Sequence, residues 1–193
     1  MNGFTFIFGG ARSGKSAFAL SLADSMPEKK RIYVATAKAI DLSPLKTCED
    51  KEMAERIRLH KNARGPEWQT VEEPIDIAPH VRAAGPEAES VTDTESVTDC
   101  VVLFDCLTLW LSNLMEAGLS DDAILAKASA FASACKGSSS KIIAVSNEVG
   151  LSIVPENALA RRFRDLAGMV NRITAKAASE VFFIAAGLPL KLK

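Results

Sequence analysis

The chain has 193 residues, of which 48% are hydrophobic and 24% are charged, and its formal net charge at pH 7 is -1. This composition is typical of a globular protein with a substantial core, and the length favours a single domain over residues 1–193. The balanced charge argues against a nucleic-acid partner, and no apolar run reaches the length of a transmembrane segment.

Short apolar runs rich in β-forming residues alternate along the chain with longer segments of helical periodicity. Strands are predicted at residues 4–8, 31–35, 68–71, 100–104, 141–145 and 181–185, and helices near 15–26, 49–61, 107–117, 121–135 and 156–179. The fourth run is apolar at every position, as expected for a strand that is covered on both faces. The alternation predicts an α/β fold with a mainly parallel sheet flanked by helices.

The pattern GxxxxGK[ST] lies between the first predicted strand and the first predicted helix. Its residues are Gly9, Gly10, Ala11, Arg12, Ser13, Gly14, Lys15 and Ser16. Glycines allow a tight turn whose backbone N–H groups point at phosphates, and the following helix adds its positive N-terminus. Lys15 suits the β- and γ-phosphates, and the Ser16 hydroxyl suits Mg²⁺. The motif therefore predicts a bound nucleoside triphosphate with Mg²⁺.

Acidic residues that could complete a nucleotide or metal site follow several predicted strands. Asp105 comes directly after the fourth strand, at the edge where ligands bind in parallel sheets, and is the preferred second metal ligand. Capping of the next helix is its alternative role. Asp41 and Glu148 are weaker candidates for the metal. Glu72 and Glu73 follow the third strand and could contact a ribose or base.

The two histidines differ in their surroundings. His60 ends a predicted helix and is followed by Lys61 and Arg64, cations that could hold a phosphate. An imidazole that is neutral near pH 7 can attack phosphorus, which makes His60 a candidate nucleophile, with a structural role on an apolar helix face as the alternative. His80 is expected at the surface.

Two further segments carry predictions about the surface. Residues 84–99 contain the acidic sequence ESVTD twice and are interpreted as a surface-loop insertion. The last predicted helix has an apolar stripe, which favours packing on the sheet, with a subunit contact as the alternative. Its members are Leu159, Phe163, Leu166, Val170, Ile173 and Ala177.

The cysteines and the N-terminus bear on the compartment. Cys48, Cys100, Cys106 and Cys135 are scattered without metal-binding spacing, and the N-terminus has no features of a signal peptide. These observations favour reduced thiols in a cytoplasmic protein.

Five segments together resemble the bifunctional adenosylcobinamide kinase / adenosylcobinamide-phosphate guanylyltransferase family of cobalamin synthesis. They are GGARSGKS, RIYVAT, the pattern E-M-x-x-R-I-x-x-H that ends at His60, VVLFDCLTLWLSNL, and VSNEVGLSIVPENALARRFRDLAGMVNRITAKAASEV. The resemblance runs in order from residue 4 to the C-terminus and spares mainly residues 76–99. It implies a P-loop NTPase fold of the RecA-like type and assembly as a trimer.

The resemblance also implies two reactions. The enzyme phosphorylates adenosylcobinamide with GTP or ATP, and then transfers GMP from GTP to adenosylcobinamide phosphate through a histidine–GMP intermediate. His60 is the implied nucleophile, beside the kinase residue Lys15. The implied nucleotide contacts are residues 9–16, Ala35, Thr36, Ala37, Lys61, Asn62, Ala63, Arg64, Glu72 and Asp105.

One departure from the family keeps an alternative open. The family's H-x-x-x-R-P spacing is interrupted here by Gly65, which lies between Arg64 and Pro66. The alternatives are a P-loop small-molecule kinase without the guanylyltransferase step, and a nucleotide-binding protein without catalysis. The residues that contact the corrinoid are not defined by the resemblance, although Arg161, Arg162 and Arg164 are candidates for its phosphate.

Overall fold

The computed structural model describes residues 3–37, 65–82 and 100–193. The strands in these ranges are β1 (Phe4–Gly9), β2 (Lys30–Ala35), β3 (Trp68–Glu72), β4 (Cys100–Asp105), β5 (Lys141–Asn147), β6 (Glu180–Ala185) and β7 (Leu188–Lys191). The helices are α1 (Lys15–Asp24), α2 (Ala78–Arg82), α3 (Leu107–Glu116), α4 (Asp121–Gly137) and α5 (Ala158–Ala177). The helix predicted at 49–61 and the predicted insertion at 84–99 lie outside the described residues.

The strands form one sheet in the order β3-β2-β4-β5-β1-β6-β7. Neighbouring strands are parallel except for the pair β6 and β7, which is antiparallel. The six predicted strands and their mainly parallel arrangement are confirmed, each strand being one or two residues longer than predicted.

Strand β7 was not predicted, and its sequence explains why. It is four residues long and contains Pro189, so it offers too little alternation to mark a strand. A two-residue turn with positive φ angles, 50° at Ala186 and 83° at Gly187, joins it to β6. Two positive φ angles define a type I′ hairpin turn, which returns the chain antiparallel to β6.

Both faces of the sheet are covered, as the apolar sequence of β4 predicts. Successive side chains of a strand point to opposite faces. Val102 and Phe104 therefore pack in the core formed with α2, α3, α4 and α5, whereas Val101 and Leu103 pack in the core formed with α1. The ring of Phe104 meets Phe131 of α4 edge to face, with ring centres 4.9 Å apart.

Helix α5 confirms most of the predicted apolar stripe. Its N-cap is Asn157, whose side chain accepts hydrogen bonds from the backbone of the first turn. Leu166 and Val170 are buried, and Phe163 and Ile173 pack partly against the same core, but Leu159 is 62% exposed. No helix in the described part of the chain has the length and apolarity needed to cross a membrane.

Candidate functional site

The carboxyl ends of the six parallel strands, β1 to β6, define one edge of the sheet, and the described residues of the predicted site lie in two places along it. Gly9 at the end of β1 is level with Asn147 of β5, whereas Asp105 is in register with Ala35, and Ala35 with Glu72. With neighbouring strands about 4.8 Å apart, Asp105 is about 10 Å across the sheet from Gly9, and Glu72 is about 19 Å. We call residues 9–16 the phosphate-loop end, and we call the last residues of β2, β3 and β4, with the residues that follow them, the β2–β4 end.

The phosphate-loop end is a tight turn that leads into α1. The backbone N–H of Ser13 donates to the Gly10 carbonyl at 3.3 Å, and Arg12 has a positive φ of 56°. Gly14, with φ 95°, is the N-cap, and no side chain caps the helix. The first N–H groups of a helix have no partner within it, so this turn presents backbone donors at a positive helix N-terminus. The arrangement suits an anion.

Two glycines of this turn are required by the neighbouring hairpin. A Cβ at Gly9 would lie 2.3 Å from the Ile184 carbonyl oxygen of β6, and one at Gly14 would lie 3.3 Å from the Cα of Gly187. The N–H of Gly187 donates to the Ser13 carbonyl at 2.9 Å. The β6–β7 turn therefore packs against the phosphate loop and holds it in place. The motif alone does not predict this contact.

The polar side chains of the loop are largely buried. Lys15 is 7% exposed, and its Nζ donates to the Gly10 carbonyl at 2.5 Å, so the ammonium group lies over the turn. The Ser13 hydroxyl is buried and forms no hydrogen bond with any described residue. A buried hydroxyl without a partner is costly, and an oxygen-rich ligand such as a phosphate would satisfy it. The loop therefore fits a phosphate chain in both charge and hydrogen bonding.

At the β2–β4 end, Asp105 is positioned by a buried phenol. The hydroxyl of Tyr33 donates to Asp105 Oδ2 at 2.9 Å, and Asp105 and Ser16 are both half-buried. No group of three or more His, Cys, Asp or Glu side chains that could hold a metal occurs among the described residues. Mg²⁺ commonly needs only one or two protein oxygens, since phosphates and waters complete its shell, so a hydroxyl and a carboxylate fit it.

Thr36 joins β2 to the residue after Asp105. Its hydroxyl donates to the Cys106 carbonyl at 2.7 Å and accepts from the Cys106 N–H at 2.8 Å, and its own N–H donates to the Asp105 carbonyl. Burial, reinforced by the charge of Asp105, raises the pKa of the Cys106 thiol to about 11. The thiol is therefore protonated at neutral pH and is not a nucleophile in this state.

A buried amide on α3 connects β2 to the loop after β3. Asn113 Nδ2 donates to the Thr36 carbonyl at 2.7 Å and to the Pro74 carbonyl at 3.0 Å. One turn earlier, Trp110 Nε1 donates to the Ile75 carbonyl at 2.8 Å. Sequence reasoning missed this role of Asn113; the available signal was an amide in the apolar helix LTLWLSNL.

Glu72 and Glu73 have different environments. Glu72 is exposed at the end of β3, whereas Glu73 Oε1 accepts hydrogen bonds from the N–H groups of Ile75 (2.9 Å) and Asp76 (2.8 Å). His80 is half-buried, with Nε2 3.6 Å from Glu73 Oε2. Burial alone would raise the pKa of Glu73, but these hydrogen bonds and His80 lower it overall. Glu73 thus stabilises a turn, whereas Glu72 lies exposed at the end of β3.

The remaining predicted residues divide into two groups. Asp41, His60, Lys61, Asn62, Ala63 and Arg64 lie outside the described residues. The three arginines of α5 have partners within the protein. Arg161 donates to the carbonyls of Pro155 and Glu156, Arg162 pairs with Asp121, and Arg164 pairs with Asp165. Their proposed contact with a corrinoid phosphate gains no support from these arrangements.

Comparison with solved structures agrees with the fold. A type III secretion system ATPase of pathogenic bacteria superposes with a TM-score of 0.52 at 9% identity, over 99% of this chain and 57% of the ATPase chain. The chain thus spans little more than half of that protein, and the likeness concerns the P-loop ATPase fold of the RecA-like type.

Comparison with protein families and curated proteins identifies relatives of this chain. The family model for cobinamide kinase / cobinamide phosphate guanyltransferase matches residues 5–192. The bifunctional adenosylcobalamin biosynthesis protein CobU of Salmonella typhimurium is 35% identical over 97% of this chain and 98% of its own length. The corresponding protein CobP of Pseudomonas aeruginosa is 39% identical over 97% of this chain and 95% of its own length. The chain therefore belongs to the cobinamide kinase / cobinamide phosphate guanyltransferase family.

Proposed function

We propose that the protein phosphorylates adenosylcobinamide with GTP or ATP and then transfers GMP from GTP to adenosylcobinamide phosphate, giving adenosyl-GDP-cobinamide. The observation that carries this proposal is the family match over residues 5–192. The phosphate-loop geometry supports it, because a buried lysine and a helix N-terminus meet at the end of β1. In this proposal residues 1–193 form one domain, with residues 84–99 as an insertion.

In the kinase step, the oxygen of the acceptor hydroxyl attacks the γ-phosphorus and the nucleoside diphosphate leaves. Residues 9–16 bind the phosphates through backbone N–H groups, and Lys15 offsets the charge that builds up on the transferring group. Ser16 and Asp105 would hold Mg²⁺, which supplies electrostatic stabilisation of the phosphates when bound. The hydrogen bond from Tyr33 keeps the Asp105 carboxylate oriented toward this edge.

In the transferase step, an imidazole nitrogen of His60 attacks the α-phosphorus of GTP and pyrophosphate leaves. The cobinamide phosphate then displaces the imidazole and takes the GMP group. A covalent intermediate divides one difficult displacement into two easier ones. We assign the contacts with this nucleotide to Ala35, Ala37, Glu72 and the residues after His60. Thr36 is 0% exposed, and its hydroxyl, N–H and carbonyl are all bonded within the protein, so we assign it the positioning of its neighbours instead of the predicted contact.

Incubation with GTP followed by intact-mass measurement tests the proposal. The wild type is expected to gain one acid-labile GMP group, and His60→Ala is expected to gain none. His80→Ala is the matched control, because it removes the only other histidine and leaves the adduct intact. An adduct on His60→Ala would refute the assignment of the nucleophile.

The second candidate, a kinase without the transferase step, is favoured by a specific feature, the extra Gly65 after Arg64. It predicts phosphorylation of adenosylcobinamide by the wild type with no GMP adduct. Deletion of Gly65 would then be expected to restore the adduct.

We further propose a homotrimer in the cytoplasm. The trimer rests on the family resemblance and is tested by light scattering coupled to gel filtration. Three buried free cysteines, Cys100, Cys106 and Cys135, support a reducing compartment.

A further inference from the structure

The segment that follows β5 lies beside the phosphate loop. The backbone N–H of Glu148 donates to the Gly9 carbonyl at 2.9 Å, so the first residue of this segment is joined to the end of β1. A hollow of about 230 Å³ opens at this junction, lined by Gly10, Glu148, Val149, Leu151, Ser152 and Phe183. The hollow therefore shares Gly10 with the phosphate loop.

Large apolar side chains lie exposed in residues 151–154, next to the hollow. Leu151 is 82% exposed, Ile153 93% and Val154 58%, so three such side chains face solvent within four residues. Single exposed apolar residues are ordinary, but a contiguous group beside a hollow marks a binding surface. We call residues 151–154 the apolar shelf.

Glu148 provides a carboxylate to the lining of the hollow. Its Oε1 accepts a hydrogen bond from the Gly150 N–H at 2.5 Å, which holds the carboxylate close to the backbone of this turn. No lysine, arginine or histidine of the described residues forms an ion pair with it. A carboxylate that is not neutralised by a cation can accept a hydrogen bond, and then a proton, from an alcohol.

The backbone that leads to Glu148 is fixed by two helices. The N–H of Asn147 donates to Thr108 Oγ1 of α3 at 2.7 Å, and the Asn147 carbonyl accepts from Asn171 Nδ2 of α5 at 3.0 Å. A group supported in this way keeps a constant position relative to the phosphate loop, as a reacting group requires.

We propose that residues 148–154 form the acceptor site of the kinase step, with Glu148 as the proton acceptor. This inference rests on the proposed function and names the site that binds its alcohol substrate. The hollow is smaller than a pocket for a drug-sized molecule, so it admits the hydroxyl-bearing arm but not a macrocycle. The apolar face of the corrin ring rests on the apolar shelf. An O–P bond forms between the acceptor and the γ-phosphorus, the bond to the nucleoside diphosphate breaks, and the hydroxyl proton passes to Glu148.

The shelf is tested by Leu151→Asn. The matched control is Leu188→Asn, which changes another leucine that is 72% exposed but lies on the edge strand β7. Steady-state kinetics should give a KM for adenosylcobinamide about 10-fold higher in Leu151→Asn, which corresponds to the loss of one well-placed apolar contact. The KM for GTP and the melting temperature should stay at the wild-type values in both variants.

The proton acceptor is tested by Glu148→Gln, which keeps an oxygen for the Gly150 N–H but removes the basic group. The kcat of phosphorylation should fall about 100- to 10,000-fold, because the variant can no longer take the proton of the hydroxyl. GTP affinity, measured by calorimetry, should be unchanged. Glu156→Gln, in the same segment and exposed, is the matched control and should keep the wild-type kcat.

The outcomes separate this inference from the proposed function. If the wild type does not phosphorylate adenosylcobinamide, the proposed function fails. If it does, but Leu151→Asn keeps the wild-type KM and Glu148→Gln keeps the wild-type kcat, the acceptor site lies elsewhere. If Leu151→Asn keeps its KM but changes the molecular mass in solution, the shelf is a contact between copies of the chain and the inference is overturned.

Discussion

The phosphate-loop end and the β2–β4 end of the same sheet edge are stabilised by different kinds of interaction. The phosphate-loop end is built from backbone: Gly14 caps α1, and Ser13 bonds through its carbonyl to Gly187. The β2–β4 end depends on buried side chains, in which Thr36 and Asn113 bridge segments that are 70 and 77 residues apart in sequence. A backbone turn can close around phosphates without moving side chains, whereas bridging side chains hold separate strands in one arrangement.

This difference decides what the sequence could predict. GxxxxGKS encodes a local turn through glycines and one lysine, so the motif predicted the position of the loop at the end of β1 correctly. The six strands were predicted for a similar reason, since their apolar runs are local. Asn113 and Thr36 follow no pattern within their own segments, and only the fold brings them together. The support of Gly9 by Ile184 was missed for the same reason, because their contact joins distant parts of the chain.

Among the changes that test this difference between the two ends, Lys15→Ala at the phosphate-loop end has the largest expected effect. The variant removes the buried cation over the turn, so the kinase kcat should fall about 100- to 1,000-fold. The measurement is phosphoryl transfer from GTP to adenosylcobinamide. Lys136→Ala, at an exposed position in the last turn of α4, is the control and should retain full activity. Full activity in Lys15→Ala would contradict the assignment of the phosphate site.

Asn113→Ala should have the next largest effect, because the β2–β4 end depends on this amide. The variant removes the donor to two carbonyl groups, those of Thr36 and Pro74. The free energy of unfolding should fall by about 3 kcal/mol, the cost of two buried hydrogen bonds, as measured by urea denaturation. Asn157→Ala removes the exposed N-cap of α5 and should cost about 1 kcal/mol. Equal losses of unfolding free energy in the two variants would mean that the two hydrogen bonds of Asn113 stabilise the protein no more than a single helix cap does.

Glu73→Gln tests the electrostatic part of the β2–β4 end. The pKa of Glu73 is lowered in the folded state, so the ionised carboxylate stabilises the folded protein. This stabilisation is fully present above the ordinary pKa of 4.5 and disappears as the pH falls through the folded-state pKa. Glu73→Gln should lose about 1 kcal/mol at pH 7, and the difference from wild type should shrink below pH 4.5. Urea denaturation across this pH range measures it. Glu67→Gln, at an exposed position before β3, should have the same free energy of unfolding as the wild type across this pH range. A loss of stability in Glu73→Gln that does not change with pH would exclude the electrostatic explanation.

The smallest expected effect is a change in stability from a substitution in the β6–β7 turn, which packs against the phosphate-loop end. Ala186 has a φ of 50°, which costs an alanine more than an asparagine, and Asn-Gly is the preferred pair for a type I′ turn. Ala186→Asn should therefore raise the free energy of unfolding by about 0.5 kcal/mol without changing the GTP affinity. Ala117→Asn is the matched control, since Ala117 is also exposed and also precedes a glycine with positive φ, but its own φ is -72°. The control should gain no stability, because its backbone is already in the region that alanine prefers. A gain at both positions would show that asparagine stabilises through its side chain, and the hairpin turn under the phosphate loop would then carry no measurable strain at Ala186.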